Sequence, residues 1–385
     1  MKKVLIVAAK ANMIMQFNIR NINILQSKGY EVHVACDFNS FGSMDQTERD
    51  NLIEYLDQKG VHYHHVSFER GVGSMRANVR VVKQLMSIMD RPEEWEFIHA
   101  HSPIGGVLGR IAAKMRGVKS IYTAHGFHFS KGGQLKNWAF FPVEWILNFI
   151  TDELVVINQS DYQLATRWFK HPNISYMPSV GADIESRLAV SSMERQKNRK
   201  EIRAEMDLRN DDYVFLSVGE LNKNKNHEMI IRAMPELPEN TKLLIAGVGS
   251  RMEEYHALIN ELVLERRVKL LGYRRDLNRV HHAVDSFVFP SLREGLGMSG
   301  LDALVDGLYV IGSKSTNMKD YLCDSSLGML VDVKKINELR DAMQSVHKHK
   351  LVPAVNRWTH KLKLLQFDKK NVDFVMSRVY SNCSD

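Results

Sequence analysis

Glu294 and Asp302 stand with seven residues between them in PSLREGLGMSGLDALVDG, residues 290–307, Gly295, Gly297 and Ser299 among those seven. The run SFVFPS just before reads as a strand ended by a proline, and MSGLDALVDG reads as a helix closed by Gly307. Glu294 then falls in a strand-to-helix loop, and the backbone amides of Gly295, Leu296, Gly297 and Met298 lie at the start of a helix. Free N–H groups at the positive end of a helix dipole suit an anion such as a diphosphate, and glycine permits close approach. A helix beginning near Met298 separates the two carboxylates by roughly two turns. They can therefore touch two ends of one elongated ligand rather than share a metal ion. Taken alone, the stretch reads equally well as an ordinary glycine-rich surface turn.

Other residues have the types for chemistry. SVGELNKNKNH, residues 217–227, leaves a strand and enters a helix, which makes it a second phosphate-facing loop or, alone, a solvated turn. His125 ends the run IYTA and precedes Gly126, where a satisfied structural histidine is the simpler reading. His62, His64 and His65 have the spacing of metal ligands. No carboxylate or cysteine stands beside them in the sequence, so zinc is not expected. Ser102 and Pro103 supply an N-cap and a first helical residue.

The elements that must carry these residues repeat along the whole chain. Short apolar, β-branched runs alternate with helical stretches: VLIVAA (4–9), VHVAC (32–36), FIHAH (97–101), SIYTAH (120–125) and LVVIN (154–158), then YVFLSVG (213–219), KLLIAG (242–247), VKLLG (268–272), SFVFPS (286–291) and YVIGS (309–313). Continuous apolar strands separated by helices predict parallel, doubly wound sheets with both faces covered. A glycine turn and a highly charged helical segment divide the runs, placing a hinge near 179–188. The expected domains are 1–180, 190–365 and a C-terminal helix, 366–385, that could return to the first. Ligands of doubly wound sheets bind beyond the carboxyl ends of strands, so two such domains would hold their site in a cleft between them.

The 385 residues are 44% apolar, enough for two cores, and carry a formal charge of +7. Positive and negative residues alternate, as in ERQKNRKEIRAEMDLRN (194–210), which fits an anionic ligand or membrane surface rather than nucleic acid. Cys36, Cys323 and Cys383 are scattered, giving no disulfide framework and pointing to a reducing cytosol. The first apolar run is too short for a secretory leader, and no window reaches the roughly 18 uncharged apolar residues of a membrane span. A soluble or peripheral cytoplasmic protein is expected. In KGGQLKNWAFFPVEWILNF (131–149) aromatics lie beside lysines, a pattern of either a membrane interface or a core helix.

These motifs resemble the retaining glycosyltransferases of family 4, which have the GT-B fold, and among them the bacterial exopolysaccharide and capsule enzymes. Glu294 to Asp302 looks like their E-x7-E element, with Asp in second place. Matching stretches run through the chain: HSPIGGVLGR (101–110), IYTAHGFHF (121–129), KNWAFFPVEW (136–145), SVGELNKNKNHEMII (217–231) and LLGYRRDL (270–277). The resemblance implies two Rossmann-like domains facing across a cleft and transfer of a sugar from a nucleotide-sugar to a glycan or lipid-linked acceptor. It implies that Glu294 contacts the donor sugar, that the amides of Gly295, Leu296, Gly297 and Met298 contact sugar and β-phosphate, and that Asp302 binds the ribose hydroxyls with a shortened reach. His125 would approach the donor sugar from the first domain, and Arg274, after Tyr273, would lie at the base. The family usually has Arg and Lys five apart on the phosphate loop; here Glu220 and Lys225 occupy those positions. Lys225 is then the cation for the leaving diphosphate, with Lys223 or Asn222 as partial substitutes for the missing Arg.

No Asp-x-Asp occurs, so no metal or other cofactor is expected. Retention would proceed by front-face attack with the leaving phosphate taking the proton. A nicotinamide dehydrogenase would need G-x-G-x-x-G after the first strand, where this chain reads AAKANM. A nucleotide-sugar epimerase is disfavoured by the acceptor-side motifs. A non-catalytic subunit of a polysaccharide assembly stands as the rival from another class, prompted by Glu220 and Asp302.

Overall fold

The computed structural model describes the chain apart from residues 43, 70, 128, 130–134 and 385. Two compact units form, one of residues 1–181 with 370–385, the other of residues 182–369.

The first unit holds seven strands: β1 (Lys3–Lys10), β2 (Glu31–Asp37), β3 (His62–His65), β4 (Trp95–His101), β5 (Lys119–Ala124), β6 (Glu153–Val156) and β7 (Asn173–Tyr176). They pair in the order β3-β2-β1-β4-β5-β6-β7, every neighbour parallel. Successive side chains point to opposite faces, so Ile6, Val34 and Phe97 join one core with Ile22, Met376 and Tyr380, while Leu5, Val7 and Ile98 join another with Leu85 and Leu108. The helix Lys369–Ser384 contributes Val372, Met376 and Tyr380 to the first of these cores.

The second unit holds β8 (Tyr213–Val218), β9 (Thr241–Ala246), β10 (Val268–Gly272), β11 (Ser286–Phe289), β12 (Tyr309–Ser313) and β13 (Gly328–Val331) in the order β10-β9-β8-β11-β12-β13. These strands too are parallel. Val214, Leu216 and Phe287 lie in the core on one face, Phe215, Leu243 and Val288 in that on the other.

Both units are doubly wound α/β, and the strand order of each reverses once. In the first unit the reversal lies between β1 and β4, in the second between β8 and β11. Loops leaving two such strands diverge to opposite faces and open a crevice at their carboxyl ends. In the second unit those loops carry Lys225 and Glu294.

Candidate functional site

At the switch point of the second unit, the Lys225 ammonium meets the Glu294 carboxylate at 2.6 Å, with both side chains mostly buried. The ammonium also lies 4.9 Å from the centre of the Phe289 ring at the end of β11. Gly219, the first residue after β8, explains how the lysine gets there. A Cβ at that position would stand 3.1 Å from the Lys225 stem. Asparagines fix the loop: Asn222 Oδ1 accepts the Lys225 amide at 3.0 Å, Asn224 Nδ2 donates to the Arg293 carbonyl at 2.9 Å, and Asn226 Nδ2 donates to Pro290 at 3.3 Å. The phosphate-facing loop and the Glu294 loop are thus laced together by side chains that read in sequence as a solvated turn. Lys223 and Glu220 are exposed.

Glu294 leads into the helix Met298–Val305, entered through Gly297 at φ +86°. Carbonyls of this loop are held from one side: Asn317 Nδ2 donates to Gly295 at 3.0 Å, and the buried Tyr321 hydroxyl donates to Gly297 at 2.9 Å. Among the described residues, none accepts a hydrogen bond from the amides of Gly295, Leu296, Gly297 or Met298. Leu296 packs its side chain in the core at 2% exposure, and Met298 packs partly against the same core, so both offer a ligand only backbone. Pinned carbonyls and free amides at a helix N-terminus form an anion cradle.

Asp302 lies one turn into that helix and lines a cavity of about 400 Å³ with Asp183, Arg187, Arg275, His281 and Ser299. Arg187 reaches it at 3.6 Å and also pairs with Asp306, whose carboxylate takes His281 Nδ1 at 2.7 Å. Burial raises the Asp302 carboxyl above its ordinary value, against the lowering pull of Arg187. Arg274 is engaged elsewhere: its guanidinium bonds Asp276 at 2.9 and 2.8 Å and Glu205 at 2.6 Å. Arg274 is thus held by these carboxylates, while Arg187 and Arg275 both line the cavity.

His125, just beyond β5 in the first unit, lines a cavity of about 20 Å³ with Phe17, Arg20, His101 and Thr123, room for one water. Its Nε2 is 3.2 Å from His101 Nδ1, and its ring lies 5.1 Å from that of Phe17. Behind His101 sits His99, fully buried, with its nitrogens 2.8 Å from the Tyr380 and Thr123 hydroxyls. Burial lowers His125 to about 4 and His99 to about 3, and it lowers His101 with help from the two neighbouring rings. All three are neutral imidazoles at physiological pH, able to donate or accept a proton in a hydrogen bond without bringing charge.

Three further expectations change. Ser102 occupies the N-cap position of the helix Pro103–Arg116, but its side chain makes no capping bond; its Oγ accepts the Ala9 amide at 3.2 Å, linking β1 to β4 at the switch point. His62 does have a carboxylate neighbour, because Glu31 on the adjacent strand lies 3.5 Å away. In the aromatic segment, residues 131–134 lie outside the described residues. Within it the helix Phe141–Leu147 is two-sided: Leu147 is buried and Phe141 packs against the core, whereas Val143, Trp145 and Ile146 are exposed beside Phe140 and Phe149. No helix among the described residues is long and apolar enough to cross a membrane.

Comparison with other proteins finds similar chains over both units. The family model "Glycosyl transferases group 1" matches residues 198–362, and "Glycosyl transferase 4-like domain" matches residues 20–178. The chain is 29% identical over 394 residues to EpsD of Bacillus subtilis (strain 168), named as a glycosyltransferase, covering 100% of this chain and 97% of that protein. It is 24% identical over 363 residues to the UDP-Gal:alpha-D-GlcNAc-diphosphoundecaprenol alpha-1,3-galactosyltransferase of Escherichia coli, over 89% of this chain and 87% of that one. Anabaena HepE, solved in complex with UDP and glucose, superposes with a TM-score of 0.75 at 17% identity, covering 99% of this chain and 100% of its own. With one model on each unit and a likeness to EpsD over its whole length, the chain belongs to the family-4 glycosyltransferases and has their GT-B fold.

Proposed function

We propose that the protein is a retaining, metal-independent glycosyltransferase that moves a hexose or N-acetylhexosamine from a UDP-sugar to a glycan or lipid-linked acceptor during synthesis of a bacterial exopolysaccharide, capsule or other surface polysaccharide. The observation that carries the reading is the Lys225–Glu294 contact of 2.6 Å at the switch point, next to unclaimed amides at a helix N-terminus. A diphosphate placed on those amides would sit beside a cation that has further N–H donors to give. The nucleotide choice leans on two similar proteins: the Escherichia coli relative is named for UDP-Gal and a diphosphoundecaprenol acceptor, and HepE was solved with UDP.

In this mechanism Glu294 orients the donor sugar and Asp302 accepts the ribose hydroxyls. The acceptor oxygen bonds to the anomeric carbon on the face from which the diphosphate departs. As the C–O bond breaks, its electron pair goes to the nucleoside diphosphate, and the acceptor's proton passes to the same phosphate. Lys225 and the amides of Gly295, Leu296, Gly297 and Met298 stabilise the developing charge, a role worth about 10²- to 10³-fold in kcat per donor. His125, neutral, serves as a hydrogen-bonding partner of the sugar. The exposed aromatic face of Phe140, Val143, Trp145, Ile146 and Phe149 rests on the cytoplasmic membrane surface, where a lipid-linked acceptor is presented.

The test is transfer by the purified protein from a panel of UDP-, GDP- and dTDP-sugars to a lipid-diphosphate acceptor, with and without EDTA, the product's anomeric configuration read by NMR. Transfer from a UDP-sugar that survives EDTA, gives the retained anomer and falls at least 100-fold in Glu294→Gln is expected. Loss in EDTA restored by Mn²⁺ would overturn metal independence, and an inverted product would overturn the mechanism.

A further inference from the structure

At the other end of the first unit's sheet, the start of β2 and β3 gathers groups that the transfer reaction does not use. Register pairs His33 with His62, so the two rings lie on one face with centroids 4.6 Å apart. Glu31, two residues before His33 on the same face, places Oε1 3.0 Å from His33 Nε2 and 3.5 Å from His62 Nε2. One ligand atom from each of the three residues lies within 4.8 Å of the other two.

We propose that Glu31, His33 and His62 form a binding site for a divalent transition-metal ion of the zinc class. Tetrahedral zinc with bonds of 2.0–2.2 Å sets its ligand atoms about 3.3 Å apart, and the two measured separations from Glu31 bracket that spacing. Two imidazoles and one carboxylate are ligands of matching softness, and they leave a fourth position for water. The second ring nitrogen of His33 is also placed: Nδ1 lies 3.0 Å from His64 Nε2. With His64 taking the Nδ1–H, His33 Nε2 is left bare and aimed at the other two ligands, the usual arrangement behind a metal-bound histidine. Trp95 packs edge-on to His33 at 4.8 Å and fixes the ring plane. The nearest competing cation, Lys3, is drawn off to Glu94 at 2.5 Å.

Position argues for a structural role. The site is at the amino ends of the strands, whereas His125 follows the carboxyl end of β5. β3 is an edge strand of sequence HYHH, mostly exposed and with little apolar area to hold it. A metal bound across β2 and β3 would clamp that edge without entering the transfer reaction.

Tag-free protein, stripped with EDTA and dialysed free of it, should take up one Zn²⁺ per chain from a chromophoric chelator, and Co²⁺ should give the visible absorption of a low-coordinate site. Zn²⁺ should raise the thermal-unfolding midpoint, while Mg²⁺ and Ca²⁺ should not. His62→Ala, at a residue whose side chain is 59% exposed and which folding can spare, should lose the site and keep sugar transfer. His64→Ala should weaken binding about 10- to 100-fold through the orientation of His33. Equal zinc affinity in His62→Ala and the unaltered protein, or no zinc retained at micromolar concentration, would overturn the assignment.

Discussion

Replacing Asp302 separates a ligand-binding role from a structural one, because the two predict opposite signs. The carboxylate faces the 400 Å³ cavity, and burial pushes its pKa up, so ionisation is harder in the folded chain than in the unfolded one. A raised folded-state pKa means that the ionised side chain weakens folding at neutral pH, and that this penalty disappears as pH falls below both values. Asp302→Asn removes the penalty, and Arg187 keeps its second partner, Asp306. Stability at pH 7 should therefore hold or rise, read as the urea midpoint. Nucleotide binding should move the other way. Two ribose hydroxyls donating to a carboxylate make charge-assisted bonds of about 1.5–3 kcal/mol each, and the amide keeps one neutral acceptor. Losing the equivalent of one such bond weakens UDP about 10- to 150-fold, measurable by calorimetry with UDP alone. Unchanged UDP affinity would remove Asp302 from the ribose. A fall in the urea midpoint would show that the carboxylate is held for the fold instead.

Three further outcomes follow from the geometry. Gly297→Ala places a Cβ 3.1–3.3 Å from Met318, Phe289 and Tyr321 at φ +86°, whereas Gly307→Ala, at φ +98°, meets nothing closer than Arg195 at 3.6 Å. Left-handed strain alone costs about 1–2 kcal/mol, so Gly307→Ala should lose that much in urea unfolding and Gly297→Ala visibly more; equal losses would refute the crowding. His99 and His227 are fully buried, with pKa values lowered to about 3 and 4. Lowered values favour the protonated form only in the unfolded chain, so their contribution is complete above about pH 6.5 and is lost toward pH 4, each at about 1.4 kcal/mol per pH unit. The urea midpoint should drop between pH 7 and 5.5, and a flat profile would contradict this. Finally, Trp145→Ser with Ile146→Ser should reduce sedimentation with anionic vesicles while leaving UDP affinity unchanged; equal sedimentation would count against the membrane-facing role.

The fold was legible where strands are buried on both faces. All ten apolar runs became strands; nine lie inside the sheets, where a parallel strand must be apolar throughout, and only VKLLG, β10, is at an edge. The strands that escaped notice are β3, β7 and β13, and each is at a sheet margin. HYHH and NISY lie half in solvent, so no continuous apolar run marks them, and their pairing is settled by the neighbouring strand rather than by their own composition. The carboxylate beside His62 was invisible for the same reason. Glu31 is 31 positions away in sequence and is brought alongside only by parallel register.

The site divides along a similar line. Glu294, Lys225 and Asp302 could be singled out because their stretches resemble the family's motifs, whereas their glycines and helix starts alone left an ordinary turn open. What positions them could not be, since the supports come from distant segments: Asn317 and Tyr321 hold the carbonyls of the Glu294 loop, and Arg187 reaches Asp302 from the helix Ile184–Leu188. This division bears on the missing arginine at Glu220. A second cation near the diphosphate need not come from the loop that usually carries it. The second unit already brings Arg187 and Arg275 to the cavity that Asp302 lines. If either takes over part of that charge, its replacement by Met should weaken UDP more than uridine, whereas a purely structural arginine should affect both alike. An equal loss for the two ligands would leave Lys225 and the helix amides to carry the diphosphate by themselves.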